Sequence, residues 1–232
     1  FDSCTSIKDL TIVGDDVTIG TNAFSGSSLE TVKFTGDGVI LGNGAFASCT
    51  HLTKVEFAGT VGSIGRSAFS SCTALTDINI PSGTDIGEAA FYGCTSLKNL
   101  TIAGDDVNVG KNAFSESSLE SVKFTGSRVI LGDGAFAGCT KLTKVEFAGT
   151  AESIGAGAFT YCITLTDFTI PEGITSIEPR VFMLCSSPAN ITIPSSIKSI
   201  GEMAFDSCTS IKDLTIVGDD VNIGTNAFSG SS

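Results

Sequence analysis

The chain has no tryptophan, one histidine and two tyrosines, and its charged residues make up only 16% of it. Tight interfaces lean on Trp, Tyr and Arg, so this composition argues against a partner gripped by a few aromatic anchors. The lone His51 has no Ser-His-Asp or Cys-His set recurring around it, which leaves nucleophilic catalysis without its base. No C-x-x-C pair is present, so a structural zinc site is not expected. Gly42-Asn43-Gly44 and Gly132-Asp133-Gly134 lack the G-K-[ST] of a phosphate-cradling loop. Gly14-Asp15-Asp16, Gly104-Asp105-Asp106 and Gly218-Asp219-Asp220 carry paired carboxylates. None extends into a D-x-D-x-D-G loop, and the reading is turns rather than Ca²⁺ ligands. No catalytic residue, metal ligand or cofactor contact is therefore assigned. No apolar run approaches the ~18 residues of a membrane-spanning helix. Any secretion signal is expected to lie outside the segment or to have been removed. Basic residues are outnumbered 13 to 25, giving a net charge of −12. That disfavours nucleic acid, whose phosphates need Lys and Arg, and anionic membrane surfaces as well.

What the chain does have is a beat. Phe1, Phe24, Phe46, Phe69, Phe91, Phe114, Phe136, Phe159, Phe182, Phe205 and Phe228 follow one another at intervals of 22 or 23 residues. A fixed period of that length is the signature of a solenoid, which overrides a domain count from length: the whole of 1–232 is one continuous stack in which each unit touches only its neighbours. Eight cysteines, Cys4, Cys49, Cys72, Cys94, Cys139, Cys162, Cys185 and Cys208, each sit three residues after a beat Phe, with Ser27 and Ser117 filling two gaps. They read as a buried column of small free thiols rather than a disulfide framework.

Within a repeat, Leu100-Thr101-Ile102 alternates as a half-buried strand does. Gly104-Asp105-Asp106 turns, and Val107-Asn108-Val109 gives a second short extended piece. Gly110 permits a corner, and Ala113-Phe114 opens a short helical or 3₁₀ turn. The expectation is about ten coils with a parallel β-sheet on one face and short extended and 3₁₀ or helical segments on the other, stacked at about 4.8 Å into a rod of roughly 45–50 Å. The coil at Ile177-Glu178-Pro179-Arg180-Val181-Phe182 lacks the corner Gly and the Ala, and Pro188 takes the Leu column.

The A-F-x-x-C-x-x-L-x-x-I-x-I-P motif followed by I-G-x-x-A-F resembles the BspA-type (Treponema pallidum-like) leucine-rich repeat. Tyr92-Gly93-Cys94 with Leu97 and Ile102, and Ile200-Gly201-Glu202-Met203-Ala204-Phe205, carry the likeness. It implies a leucine-rich-repeat solenoid, and a surface-exposed or secreted protein engaged in attachment to matrix proteins, host cells or other microbes.

A longer period overlies the coils. Residues 1–90 align with 91–180, and 1–28 recur at 205–232 with the single change Thr18 to Asn222. The expected molecule is a segment of a longer filamentous array, either one covalent chain or units associating end to end. Outward columns on the strand face form the candidate interaction surface: Lys33, Glu56, Asn79, Thr101, Lys123, Glu146 and Thr169. Lys33/Glu56 and Lys123/Glu146 are expected to pair across strands. Asn99-Leu100-Thr101 and Asn190-Ile191-Thr192 are sequons, making Asn99 and Asn190 candidate N-glycosylation positions. The functional expectation is a non-enzymatic, extracellular structural or adhesive repeat protein that meets a protein or glycan ligand. The alternative is a cell-surface module for one specific host or matrix protein, which would require one coil to differ, with clustered aromatics.

Overall fold

A computed structural model describes residues 4–185 and 190–231; Phe1 of the beat and Pro188 lie outside them. The chain winds as a parallel β-solenoid with twenty strands alternating between two faces. On the first face are β1 (Asp9–Ile12), β3 (Thr31–Phe34), β5 (Lys54–Phe57), β7 (Asp77–Ile78), β9 (Asn99–Ile102), β11 (Ser121–Phe124), β13 (Lys144–Phe147), β15 (Asp167–Phe168), β17 (Asn190–Ile193) and β19 (Asp213–Ile216). On the second are β2 (Thr18–Ile19), β4 (Val39–Leu41), β6 (Val61–Ile64), β8 (Asp85–Ile86), β10 (Asn108–Val109), β12 (Val129–Leu131), β14 (Ala151–Ile154), β16 (Ser176–Ile177), β18 (Ser199–Ile200) and β20 (Asn222–Ile223).

Short extended pieces were expected on the second face, and they are present as strands. They pair into the longest sheet among the described residues, β2 through β14 in seven strands, followed by β16–β18–β20. The first face is the interrupted one, split into β1–β3–β5–β7, β9–β11–β13–β15 and β17–β19. The corner glycines explain the continuity of the second face. A Cβ on Gly65 would lie 2.7 Å from the carbonyl oxygen of Leu41 and 2.7 Å from the carbonyl carbon of Gly42 in the coil below. Glycine stacked on glycine lets adjacent coils close to hydrogen-bonding distance beside β4 and β6.

Among the described residues no helix forms. The expected helical or 3₁₀ segment is a run of turns in which every second amide bonds locally, three residues back, and the alternate amides reach the neighbouring coil. Ala23, Ser25 and Ser27 donate to Gly20, Asn22 and Phe24, whereas Asn22, Phe24 and Gly26 donate to Asn43, Ala45 and Ala47. Two positive-φ positions flank each Phe, at two residues before and two after, for example Ser67 (54°) and Ser71 (59°) around Phe69. Left-handed residues at these points break any helix and turn the alternate amides outward to the next coil.

Inside, nine turns separate Phe24 from Phe228, and their rings stack without a gap. Neighbouring centroids are 4.9 to 5.7 Å apart and planes within 18° of parallel. Each such aromatic pair contributes about 0.5–1.5 kcal/mol beyond burial. Cys49, Cys72, Cys94, Cys139, Cys162, Cys185 and Cys208 are free and buried. Each donates its thiol to the carbonyl of the beat Phe one coil earlier, at 2.9–3.3 Å. The column is thus a row of hydrogen-bond donors as well as small apolar groups. Desolvation raises the thiols of Cys94 and Cys139 to about 12 and about 11.

Candidate docking face

The ladders of the first face put the outward columns in register. Thr11, Lys33 and Glu56 stand beside one another across β1, β3 and β5, and Thr101, Lys123 and Glu146 do so across β9, β11 and β13. Lys33, Asn79, Thr101, Lys123, Glu146 and Thr169 are exposed, and Glu56 is half-buried. The neighbouring column supplies Lys54 and Asp77 in one super-repeat, and Lys144 and Asp167 in the other.

Several charges along these columns pair with one another. Lys33 Nζ lies 3.9 Å from Glu56, which also holds Lys54 at 2.5 Å. The hydrogen bond from Lys54 keeps the Glu56 carboxyl below its ordinary range. In the second super-repeat the expected partner of Glu146 was Lys123. The two are in register, but the ion pair recorded for Glu146 is with Lys144, at 3.8 Å. Lys144 sits two residues before Glu146 on the same strand and also reaches Asp167 at 3.3 Å; Asp167 first, then Glu146, raise its pKa. Pairs exposed to this degree contribute about 0–1 kcal/mol each, so they shape the face more than they hold it.

Asn79 has a different role from the one its column implies. Its Nδ2 donates to the Phe57 carbonyl at 2.9 Å, and Oδ1 accepts from the Phe57 N–H at 3.1 Å. The side chain stands in for main chain. Elsewhere on this face the residue after the strand donates to the coil below, as Ala58 does to Phe34 and Ala148 to Phe124. Opposite Phe57 that place belongs to Pro81, which has no N–H. Ladder pairing accordingly stops at Ile78, and Asn79 takes over both bonds. The Pro two residues on was the signal in the sequence.

The turn carboxylates have backbone partners. Asp15 accepts the Asp37 N–H at 2.9 Å and Asp105 accepts the Ser127 N–H at 2.7 Å, so these turn carboxylates bind backbone of the next coil. His51 is exposed and lies 3.5 Å from the Thr50 hydroxyl. Asn99 opens β9, exposed, with its Oδ1 accepting from Ser121 at 2.8 Å; Asn190 opens β17, also exposed. Among the described residues no group of three or more His, Cys, Asp or Glu could hold a metal ion, and no helix is long and apolar enough to cross a membrane.

The repeat is matched by the model of the BspA type leucine rich repeat region, with six copies over residues 1–114 and 107–232. The chain belongs to this family. The BspA-type coil is also found in similar solved structures. A leucine-rich repeat protein of T. pallidum shares 27% identity, with a TM-score of 0.56 over 70% of this chain and 83% of that one. A leucine rich cell surface protein of Faecalibacterium prausnitzii shares 23% identity, with a TM-score of 0.52 over 89% of this chain and 69% of that one. A leucine-rich repeat protein of Bacteroides ovatus, at 23% identity and a TM-score of 0.49, is covered over 61% of its length by 92% of this chain. No curated protein matches. What the T. pallidum and F. prausnitzii proteins share with the chain is the fold.

Proposed function

We propose that this chain is a non-enzymatic repeat protein of the cell surface or extracellular space that docks a repetitive protein or glycan partner along its first face. The observation that carries the reading is the recurrence of the same outward groups in ladder register, Lys33 and Glu56 and again Lys123 and Glu146. These groups recur after four coils, about 19 Å at strand spacing. A ligand repeating on that scale engages both sets at once, and individually weak contacts multiply through effective concentration. The named location of the F. prausnitzii protein supports the surface assignment.

End-to-end stacking into an array is part of the same reading. Because residues 205–232 repeat 1–28 in all but one position, a coil able to pack on one is matched to the other. The test is binding of the purified chain to immobilised matrix proteins and surface polysaccharides, alongside negative-stain microscopy. Reversing Lys33 and Lys123 to Glu is expected to weaken capture at least tenfold. Capture that ignores both reversals, or none on any such surface, counts against the docking face; strictly monomeric particles at high concentration count against the array.

A further inference from the structure

The geometry points to a primary-carboxamide binding site at Phe147, the counterpart of Phe57 in the second super-repeat. The two places share their framework. Lys54, Val55, Glu56, Phe57 and Ala58 recur as Lys144 to Ala148, and Pro81 recurs as Pro171. In both, the ladder to the next coil holds for two residues, Lys54↔Asp77 and Val55↔Ile78 against Lys144↔Asp167 and Val145↔Phe168, and then stops. Pro171 can no more donate to the Phe147 carbonyl than Pro81 can to that of Phe57.

Phe168 replaces Ile78 and Glu172 replaces Ser82, but the difference that reaches the Phe57 and Phe147 backbone groups is at one position. Where the first copy has Asn79, the second has Thr169, too short and with no amide to bridge the gap. Among the described residues nothing donates to the Phe147 carbonyl or accepts from its N–H across this step. Phe147 is half-buried where Phe57 is buried. The open space beside it is about 1090 Å³, against about 610 Å³ beside Phe57. Asn79 is therefore a template for what the second copy lacks.

The vacant pair selects its ligand. One residue's N–H and C=O, offered side by side, require an acceptor and a donor on neighbouring atoms facing the same way. A primary carboxamide has them. A carboxylate presents a second acceptor to the carbonyl, and the walls repel it, since Glu146, Asp167 and Glu172 face a single Lys144. A trans secondary amide, such as an N-acetyl group, points its N–H and C=O in opposite directions and makes one bond only. The carrier that fits is an Asn or Gln side chain on a partner peptide, flanked by Lys or Arg that the acidic walls favour. This deepens the recognition reading and rests on it for the carrier alone; the pocket chemistry is tested without a macromolecular partner.

The experiment is titration of the ¹⁵N-labelled 232-residue chain with isobutyramide, and with isobutyrate as the acid of the same shape. The Phe147 amide resonance is expected to shift saturably with the amide and to stay with the acid. No shift, or equal shifts with both, overturns the site. Thr169→Asn is expected to abolish the response and to slow hydrogen exchange at Phe147, and Asn79→Thr to create a response at Phe57. An undiminished response in T169N also overturns it. The two wild-type titrations decide the matter even if a variant does not fold. Acetyl-Lys-Asn-Lys-methylamide against its Asp counterpart then tests the carrier. Loss of preference there, with the isobutyramide response intact, removes the peptide and leaves the amide site.

Discussion

The Cys72 thiol donates to the carbonyl oxygen of Phe46, 3.1 Å away in the coil below. The carbonyl also accepts the Cys49 N–H at 3.3 Å, so the thiol serves its second lone pair. Losing one of two hydrogen bonds to it costs about 0.5–1.5 kcal/mol. Cys72→Ala is therefore expected to lower stability by about that amount in urea titrations. Cys72→Ser should recover most of it, because Ser231 at the same column position already donates to the carbonyl of Phe205. Equal losses in the two variants would show that volume, not the hydrogen bond, is what the column supplies.

The thiol column also sets an alkaline limit. Burial holds the Cys94 and Cys139 thiols at about 12 and about 11, above the ordinary value near 9. The folded state retains protons that the unfolded chain releases, so the contribution is complete below pH 9 and is lost as pH rises toward 11–12. Each such thiol gives a slope of about 1.4 kcal/mol per pH unit within that window. Urea midpoints measured from pH 7 to 11 should be flat at first and then fall. In the native state at pH 8, a thiol-reactive dye should label none of the buried cysteines on the timescale of minutes.

Asn79 closes a ladder that proline opens. Asn79→Ala leaves both Phe57 groups without their partner, with an expected loss of about 1–3 kcal/mol. Asn79→Asp keeps the acceptor but removes the donor to the carbonyl, and should be destabilising too. Thermal melts of the two variants beside the parent check this; a variant as stable as the parent would show that water substitutes for the amide.

Corner glycines are predicted to be intolerant of a methyl group. Gly65→Ala puts a carbon 2.7 Å from backbone atoms that cannot rotate away. The expected cost is about 1–3 kcal/mol. Gly62, where the added carbon would lie 3.7 Å from Ile40 Cγ1 and 3.9 Å from the Val39 carbonyl oxygen, is the control and should accept Ala with little change. Calorimetry of both variants compares the two costs.

A left-handed position occupied by a residue with a side chain is the reverse case. Ala89 sits at φ 53° in a column where Gly44, Gly134 and Gly157 stand in other coils. Ala89→Gly is expected to stabilise by about 0.5–1 kcal/mol, the relief of strain less the added freedom of the unfolded chain. A shift of the urea midpoint to lower concentration would contradict this.

Much of the architecture was readable because the rule that places side chains is the same in every coil. The Phe interval fixed which residues stack, and from it followed the register of Thr11, Lys33 and Glu56 and the burial of Cys72. What depended on contacts between coils was harder to read. Val39-Ile40-Leu41 and its equivalents look too short to matter one at a time, yet seven strands pair through them. Ser67, Ala89 and Leu184 are not residues that announce a left-handed turn; only their place in the column does. Glu146 chose Lys144 over Lys123 because rotamers decide between two near lysines, and sequence spacing does not report rotamers. Asn79 looked like a free outward amide until Pro81 was set against the carbonyl it leaves unserved.

The unbroken file of phenyl rings has a consequence for length. Each ring sees the one above and the one below in the same attitude, so the interior holds no record of how many rings there are. If a whole number of turns were copied in or cut out, each remaining ring of the file would still find a ring above and below it. The ring file itself therefore sets no limit on the number of turns.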